Sequence, residues 1–181
     1  SKYPNVKIFY GEPISKIHAI NRDMEKADEW DWLVNFSDDM FFTVKGWDKL
    51  MLQDIHSIWN DSLDWFAHFS DGFVHEKLPT MSIMGRDYYD RFGYIYHPSY
   101  GSVSCDAEAM FVAMMLGRHH YFSNVYFNHL HPANVRTKSD ETYQRNVRFD
   151  ESDTENYFQR RERLFDVENP VCIPYRQFIR E

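Results

Sequence analysis

Trp32-Leu33-Val34-Asn35-Phe36-Ser37-Asp38-Asp39 is the stretch whose reading decides the fold. Trp32–Phe36 is nearly continuous in its apolar character, with no polar alternation. That is the pattern of a strand covered on both faces, not of one lying on a wet surface. It runs straight into two carboxylates. In open α/β sheets, ligands collect at the carboxyl ends of strands. The expectation is therefore a strand buried in the centre of a sheet, with Asp38 and Asp39 at its exposed carboxyl edge.

Working outward, Val6–Tyr10 (VKIFY) reads as a β-prone strand ended by Gly11. Pro13 suits the first turn of a helix. Ile14, Ile17, His18, Asn21 and Met24 then recur at helical spacing, which predicts a helix over Pro13–Ala27. Downstream, Gly46–Trp59 reads as a helix with Trp47, Leu50, Met51, Ile55 and Ile58 on one face. Leu63–Phe69 and Thr80–Met84 read as strands, and Asp71-Gly72 as a turn. Arg86–Phe92 is a short helix stopped by Gly93. Tyr94–Ser104 is a loop, Asp106–Leu116 a helix closed by Gly117, and His120–Phe127 a strand. Strands alternating with helices predict an α/β class with a mainly parallel central sheet.

After Pro132 the composition shifts toward charge. Residues 1–132 read as the core, and residues 133–181 as a C-terminal helical extension packed on it. Asp140–Phe149 and Thr154–Phe165 are its two expected helices. They dock by narrow apolar stripes (Tyr143, Val147 and Phe149, then Tyr157, Phe158, Leu164 and Phe165) and leave a charged face in water. Arg136, Lys138, Arg145 and Arg148 are read as part of that wet face in preference to a lid over a diphosphate.

The chain's 181 residues suit one domain, and 43% hydrophobic content supplies a core. The longest apolar runs fall far short of the ~18 residues a membrane helix needs. Ser1–Tyr10 lacks the form of a secretory leader. A net charge of −8 excludes a general basic face for nucleic acid. It suits a divalent cation wherever carboxylates converge. Cys105 and Cys172 form neither a disulfide framework nor a zinc pattern, which suggests a reducing, cytoplasmic setting.

Three clusters carry candidate chemistry. Asp38 and Asp39 repel each other unless a cation is shared, and Mg²⁺ is commonly held by one or two carboxylates plus phosphate oxygens. Read alone, the pair merely opens a solvated turn. Asp106 and Glu108 open a helix, where an acid serves as cap or dipole partner. An acid there can also act as a general base toward the sheet's cleft. His129 and His131 close a strand at i, i+2 spacing, which puts both on one side, and imidazole is a common ligand of divalent transition metals. His18, His56, His68, His75, His97, His119 and His120 carry no assigned chemistry.

Taken in order, these pieces resemble an inverting GT-A-fold glycosyltransferase of the family-2 kind, over roughly Val6 to Pro132. Gly11, Ser15-Lys16 and Ala19-Ile20-Asn21 resemble that family's G-x-x-x-(K/R)-x-x-A-x-N helix. Phe36-Ser37-Asp38-Asp39 resembles the strand ending in its DXD-type metal motif, with Gly46-Trp47 following. Ile83-Met84-Gly85-Arg86 through Phe92-Gly93-Tyr94 resembles the approach to the acceptor loop. Cys105-Asp106-Ala107-Glu108 with Leu116-Gly117 is similar to its E-D-x-E…G pattern. His129-Leu130-His131-Pro132 sits where the family often has a metal-binding histidine.

The resemblance implies a transferase that moves a sugar from a nucleotide-diphosphate donor to an unidentified acceptor hydroxyl, with inversion. It implies Mn²⁺ or Mg²⁺ bound by Asp39, with Asp38 on the metal or the sugar–ribose side of the nucleotide-sugar, and with His131, or failing it His129, completing the shell. Asp106 becomes the general base. Lys16 and Asn21 contact the nucleotide or support its pocket, and Trp47, Tyr94, Tyr96 and Tyr100 offer an acceptor face. Ser37 stands in place of the first acid of a strict D-x-D, and Cys105 in place of the glutamate before the base. The family's first strand and nucleobase-binding loop have no counterpart here. Two other readings follow from the same residues: a non-catalytic, truncated GT-A-like module that binds carbohydrate or protein, and a metal-dependent nucleotidyltransferase, which Asp106 and the terminal histidines fit less well.

Overall fold

The computed structural model describes residues 6–130 and 141–174. The chain is an α/β protein with a four-stranded mixed sheet and a separate two-stranded one. The larger sheet holds β1 (Trp32–Val34), β3 (Phe66–Ser70), β4 (Ile83–Gly85) and β5 (His119–Val125), in the order β1-β4-β3-β5. The smaller pairs β2 (Met40–Phe42) with β6 (Phe127–His129).

The expected mainly parallel sheet is not what forms. Its β1–β4 and β4–β3 pairs are antiparallel, and only β3–β5 is parallel. The reason lies in the connections. Parallel neighbours need a long crossover, usually a helix. A helical crossover does separate β1 from β3, through α2 (Trp47–Trp59), and β3 from β5, through α4 (Cys105–Met115). Those three strands accordingly share one direction. The link from β3 to β4 has no α-helix, only a 3₁₀ turn at His75–Lys77. β4 therefore returns antiparallel and inserts itself between β1 and β3.

That insertion also moves the centre of the sheet. β3 is buried along its whole length, whereas β1 is only half-buried and pairs with β4 alone among the described strands. Trp32–Phe36 is thus an edge segment, with Phe36 56% exposed, and not the central strand its apolar run implied. Side chains alternating along β3 feed two cores. Phe66 joins Ile17, Met84, Tyr88, Tyr96 and Tyr100 on one face. Ala67 and Phe69 join Met51, Ile55, Ile83 and Phe127 on the other.

Other expectations shift in detail. Val6–Tyr10 is exposed and forms no strand, because its apolar residues find no partner strand. The predicted long first helix is α1 (Lys16–Arg22) followed by a 3₁₀ turn over Met24–Lys26. Ser15 supplies the N-cap, its hydroxyl accepting from the His18 N–H at 3.1 Å. α3 (Arg86–Asp90) follows β4 directly, and α5 (Glu141–Val147) and α6 (Asp150–Glu162) form the C-terminal pair. α6 buries Asp153 and Arg160 and leaves Phe158 exposed, while Tyr157 and, just after the helix, Leu164 and Phe165 pack with Val112 and Met115 of α4, so apolar contacts and buried charges both attach it. Arg136 and Lys138 lie outside the described residues, and Arg148 donates to the Ile14 carbonyl at 3.1 Å. Among the described residues, no helix is long and apolar enough to cross a membrane.

Candidate active site at the β2–β6 edge

The turn after β1 brings Asp39 to the start of β2. Met40 N–H donates to Ser37 C=O at 3.2 Å, which closes the turn. β6 runs antiparallel beside β2, with His129 opposite Met40. The Leu130 N–H donates to the Asp39 carbonyl at 2.9 Å and locks the two ends together. The side chains then meet: His129 Nε2 lies 3.2 Å from Asp39 Oδ2. The Ser37 hydroxyl donates to Asp39 Oδ1. Burial alone would raise the Asp39 pKa, but the Ser37 bond and the His129 imidazole outweigh it and hold the carboxyl below its usual range.

Asp38 is exposed on the same turn, and His131 lies outside the described residues. No group of three His, Cys, Asp or Glu side chains among the described residues is arranged to hold a metal. Asp39 and His129 alone supply one carboxylate and one imidazole side by side. A cation bound there needs further oxygens, as sites that take substrate phosphates do.

Asp106 sits at the head of α4, partly buried. The residue capping that helix is Ser104, in the left-handed region at φ 64° and without a side-chain cap bond. Asp106 Oδ1 accepts from the Ala107 N–H at 2.9 Å. Burial pushes its carboxyl above the ordinary value, against the opposing effects of the Ala107 N–H and the Lys16 ammonium. Lys16 itself is exposed. Cys105 is buried, and burial raises its thiol well above the usual range, so it is an inert neighbour.

Asn21 is committed to the loop before α4. Its Nδ2 donates to the Tyr96 carbonyl at 2.7 Å, and its Oδ1 accepts from the N–H groups of Ile95 and Tyr96 at 2.9 and 3.3 Å. These bonds tie α1 to the backbone at Ile95 and Tyr96. Tyr96 and Tyr100 are 4% and 2% exposed, so they are core residues and offer no acceptor face. The Tyr96 hydroxyl lies 3.2 Å from Asn35 Nδ2 and 3.0 Å from Ser82 Oγ, and ties the α4 side to the end of β1. Trp47 is stacked on Phe42 with ring centroids 3.7 Å apart. Phe36 and Phe41 are 56% and 55% exposed, with Phe36 set edge-on to Phe42.

Comparison with known protein families, curated proteins and solved structures finds no match.

Proposed function

We propose that this chain carries the metal- and acceptor-handling part of an inverting glycosyltransferase of GT-A type, using a nucleotide-diphosphate sugar as donor. The observation that carries the reading is the 3.2 Å approach of His129 to Asp39, two residues ninety positions apart in sequence.

In this reading Asp39 and His129 hold Mn²⁺ or Mg²⁺, with Asp38 and His131 as further donors. When bound, the cation supplies Lewis-acid stabilisation to the departing diphosphate. Asp106 accepts the proton of the acceptor hydroxyl as that oxygen attacks the anomeric carbon. The bond to the diphosphate oxygen breaks on the opposite face, its electron pair leaves with the diphosphate, and the configuration inverts. A carboxyl raised by burial is a better-matched base near neutral pH than an ordinary one. Lys16 favours the Asp106 anion, and Asn21 holds the Ile95–Tyr96 backbone.

Titration of the chain with Mn²⁺, with and without a nucleoside diphosphate and followed by tryptophan fluorescence, tests the binding half. A nucleotide-dependent response that Asp39→Asn and His129→Gln both abolish is expected, and an unchanged response in both variants would remove this site. In the whole protein, presented with a panel of nucleotide sugars, Asp106→Asn should lower transfer by about 10²–10⁴. Transfer at the parental rate would exclude Asp106 as the base.

A further inference from the structure

α6 reaches the head of α4 through charge. The Asp153 carboxylate is 3% exposed. It accepts three successive backbone N–H groups, from Gly101 at 2.8 Å, Ser102 at 2.7 Å and Val103 at 2.9 Å. Consecutive N–H groups turned onto one anion form a nest, and such charge-assisted bonds are the strong ones. Two turns further along α6, Arg160 grips Glu108 with both arms, Nε on Oε2 and Nη2 on Oε1, each at 2.8 Å. The Tyr100 hydroxyl donates to the same carboxylate at 2.6 Å. Phe149, just before α6, lies so close to Gly101 that a Cβ there would fall 2.3 Å from its ring.

These contacts converge on the segment that sets Asp106. Ser104 offers α4 no side-chain cap, so the start of the helix depends on loop 101–103 and on Glu108. The Gly101 carbonyl accepts from the Ile17 N–H at 3.3 Å, which links the same loop to α1 and hence to Lys16. A bidentate guanidinium–carboxylate pair fixes direction as well as distance. Residues two apart on a helix project about 200° apart. Holding Glu108 toward α6 thus turns Asp106 to the other side of α4.

We infer that Asp153 and Arg160 are positioning residues: from α6 they fix the loop and the rotation of α4 that aim the Asp106 carboxylate. This rests on reading Asp106 as the base, but its test does not use sugar transfer.

The experiment compares the parent with Asp153→Asn by NMR at one fixed pH. Two things are read: the Asp106 side-chain carboxyl carbon together with the Ala107 amide that donates to it, and hydrogen exchange at Gly101, Ser102 and Val103. The expected result is exchange at least tenfold faster at the three amides, with the Asp106 and Ala107 signals displaced. Phe149→Ala, which loosens the same seat without stranding a buried charge, should displace the same signals less. It decides alone if Asp153→Asn fails to fold. A purely structural clamp predicts faster exchange at 101–103 with Asp106 and Ala107 unmoved, and that outcome, or unchanged exchange, would overturn the inference. Failure of the transferase reading would instead appear as absent turnover with these signals still coupled.

Discussion

His68 Nδ1 lies 3.1 Å from His119 Nε2, so two imidazoles from the parallel pair β3 and β5 share a hydrogen bond inside the sheet. Burial pulls His68 down from 6.5 to about 4, against the opposing effect of Asp71 and the backbone at His75 and Glu76. Burial, aided by His68 and His120, pulls His119 down to about 3. Both prefer to stay neutral in the fold. Their contribution is complete above the unfolded value of 6.5 and is lost as pH falls toward 4. The melting temperature should drop on the order of 10 °C between pH 7.5 and 5. His68→Gln should flatten that slope in thermal melts, and a variant as acid-sensitive as the parent would contradict the assignment.

Asp106 runs the other way. Burial raises its folded pKa, so its ionisation opposes folding once pH rises through the ordinary value of 3.8. Asp106→Asn should melt at or above the parental temperature at pH 7.5, and the difference should close below the carboxyl range. A variant several degrees less stable at pH 7.5 would show that the bond to Ala107 outweighs burial.

Arg160→Met leaves Glu108 buried with only Tyr100 as partner. Stranding one member of a buried pair typically costs about 3–5 kcal/mol, whereas removing both charges is often neutral. Urea unfolding should show that loss in Arg160→Met, and the Glu108→Gln/Arg160→Met double variant should recover most of it. Equal losses in the two would mean that the guanidinium acts through packing alone.

Gly85 and Gly93 separate two reasons for glycine. A Cβ on Gly85 would lie 2.2 Å from the Leu63 carbonyl oxygen, and backbone cannot step aside. Gly85→Ala should cost on the order of 3 kcal/mol. At Gly93 the space is open and only the φ of +70° resists a side chain, so Gly93→Ala should cost about 1–2 kcal/mol. Denaturant midpoints for the two variants check the order.

The three same-direction strands were legible because helical crossovers leave long periodic traces between apolar runs. The antiparallel insertion of β4 was not, since the direction of a three-residue strand leaves no mark in composition. β2 escaped for a similar reason: it follows the acid pair at once, and its middle residue, Phe41, faces solvent. Of the candidate residues, Asp39 and His129 were both named from the sequence and do lie together, because each stands at the end of a strand of the β2–β6 pair. The role of Asn21 was not legible, because a side-chain amide looks the same whether it binds a ligand or a backbone. Asp153 and Arg160 were least visible. On an acidic amphipathic helix, charges buried against another element cannot be told by sequence from those in water.

The contacts of α6 also bear on how the chain is made. Asp153 meets its N–H partners across 50 to 52 positions, and Arg160 meets Glu108 across 52. Pairings of that separation close late, because loop entropy is spent before they form. During synthesis the Glu108 carboxylate and the 101–103 amides emerge well before the helix that satisfies them. Water must solvate them until then, so the nascent chain keeps this flank open and seals it only as α6 arrives.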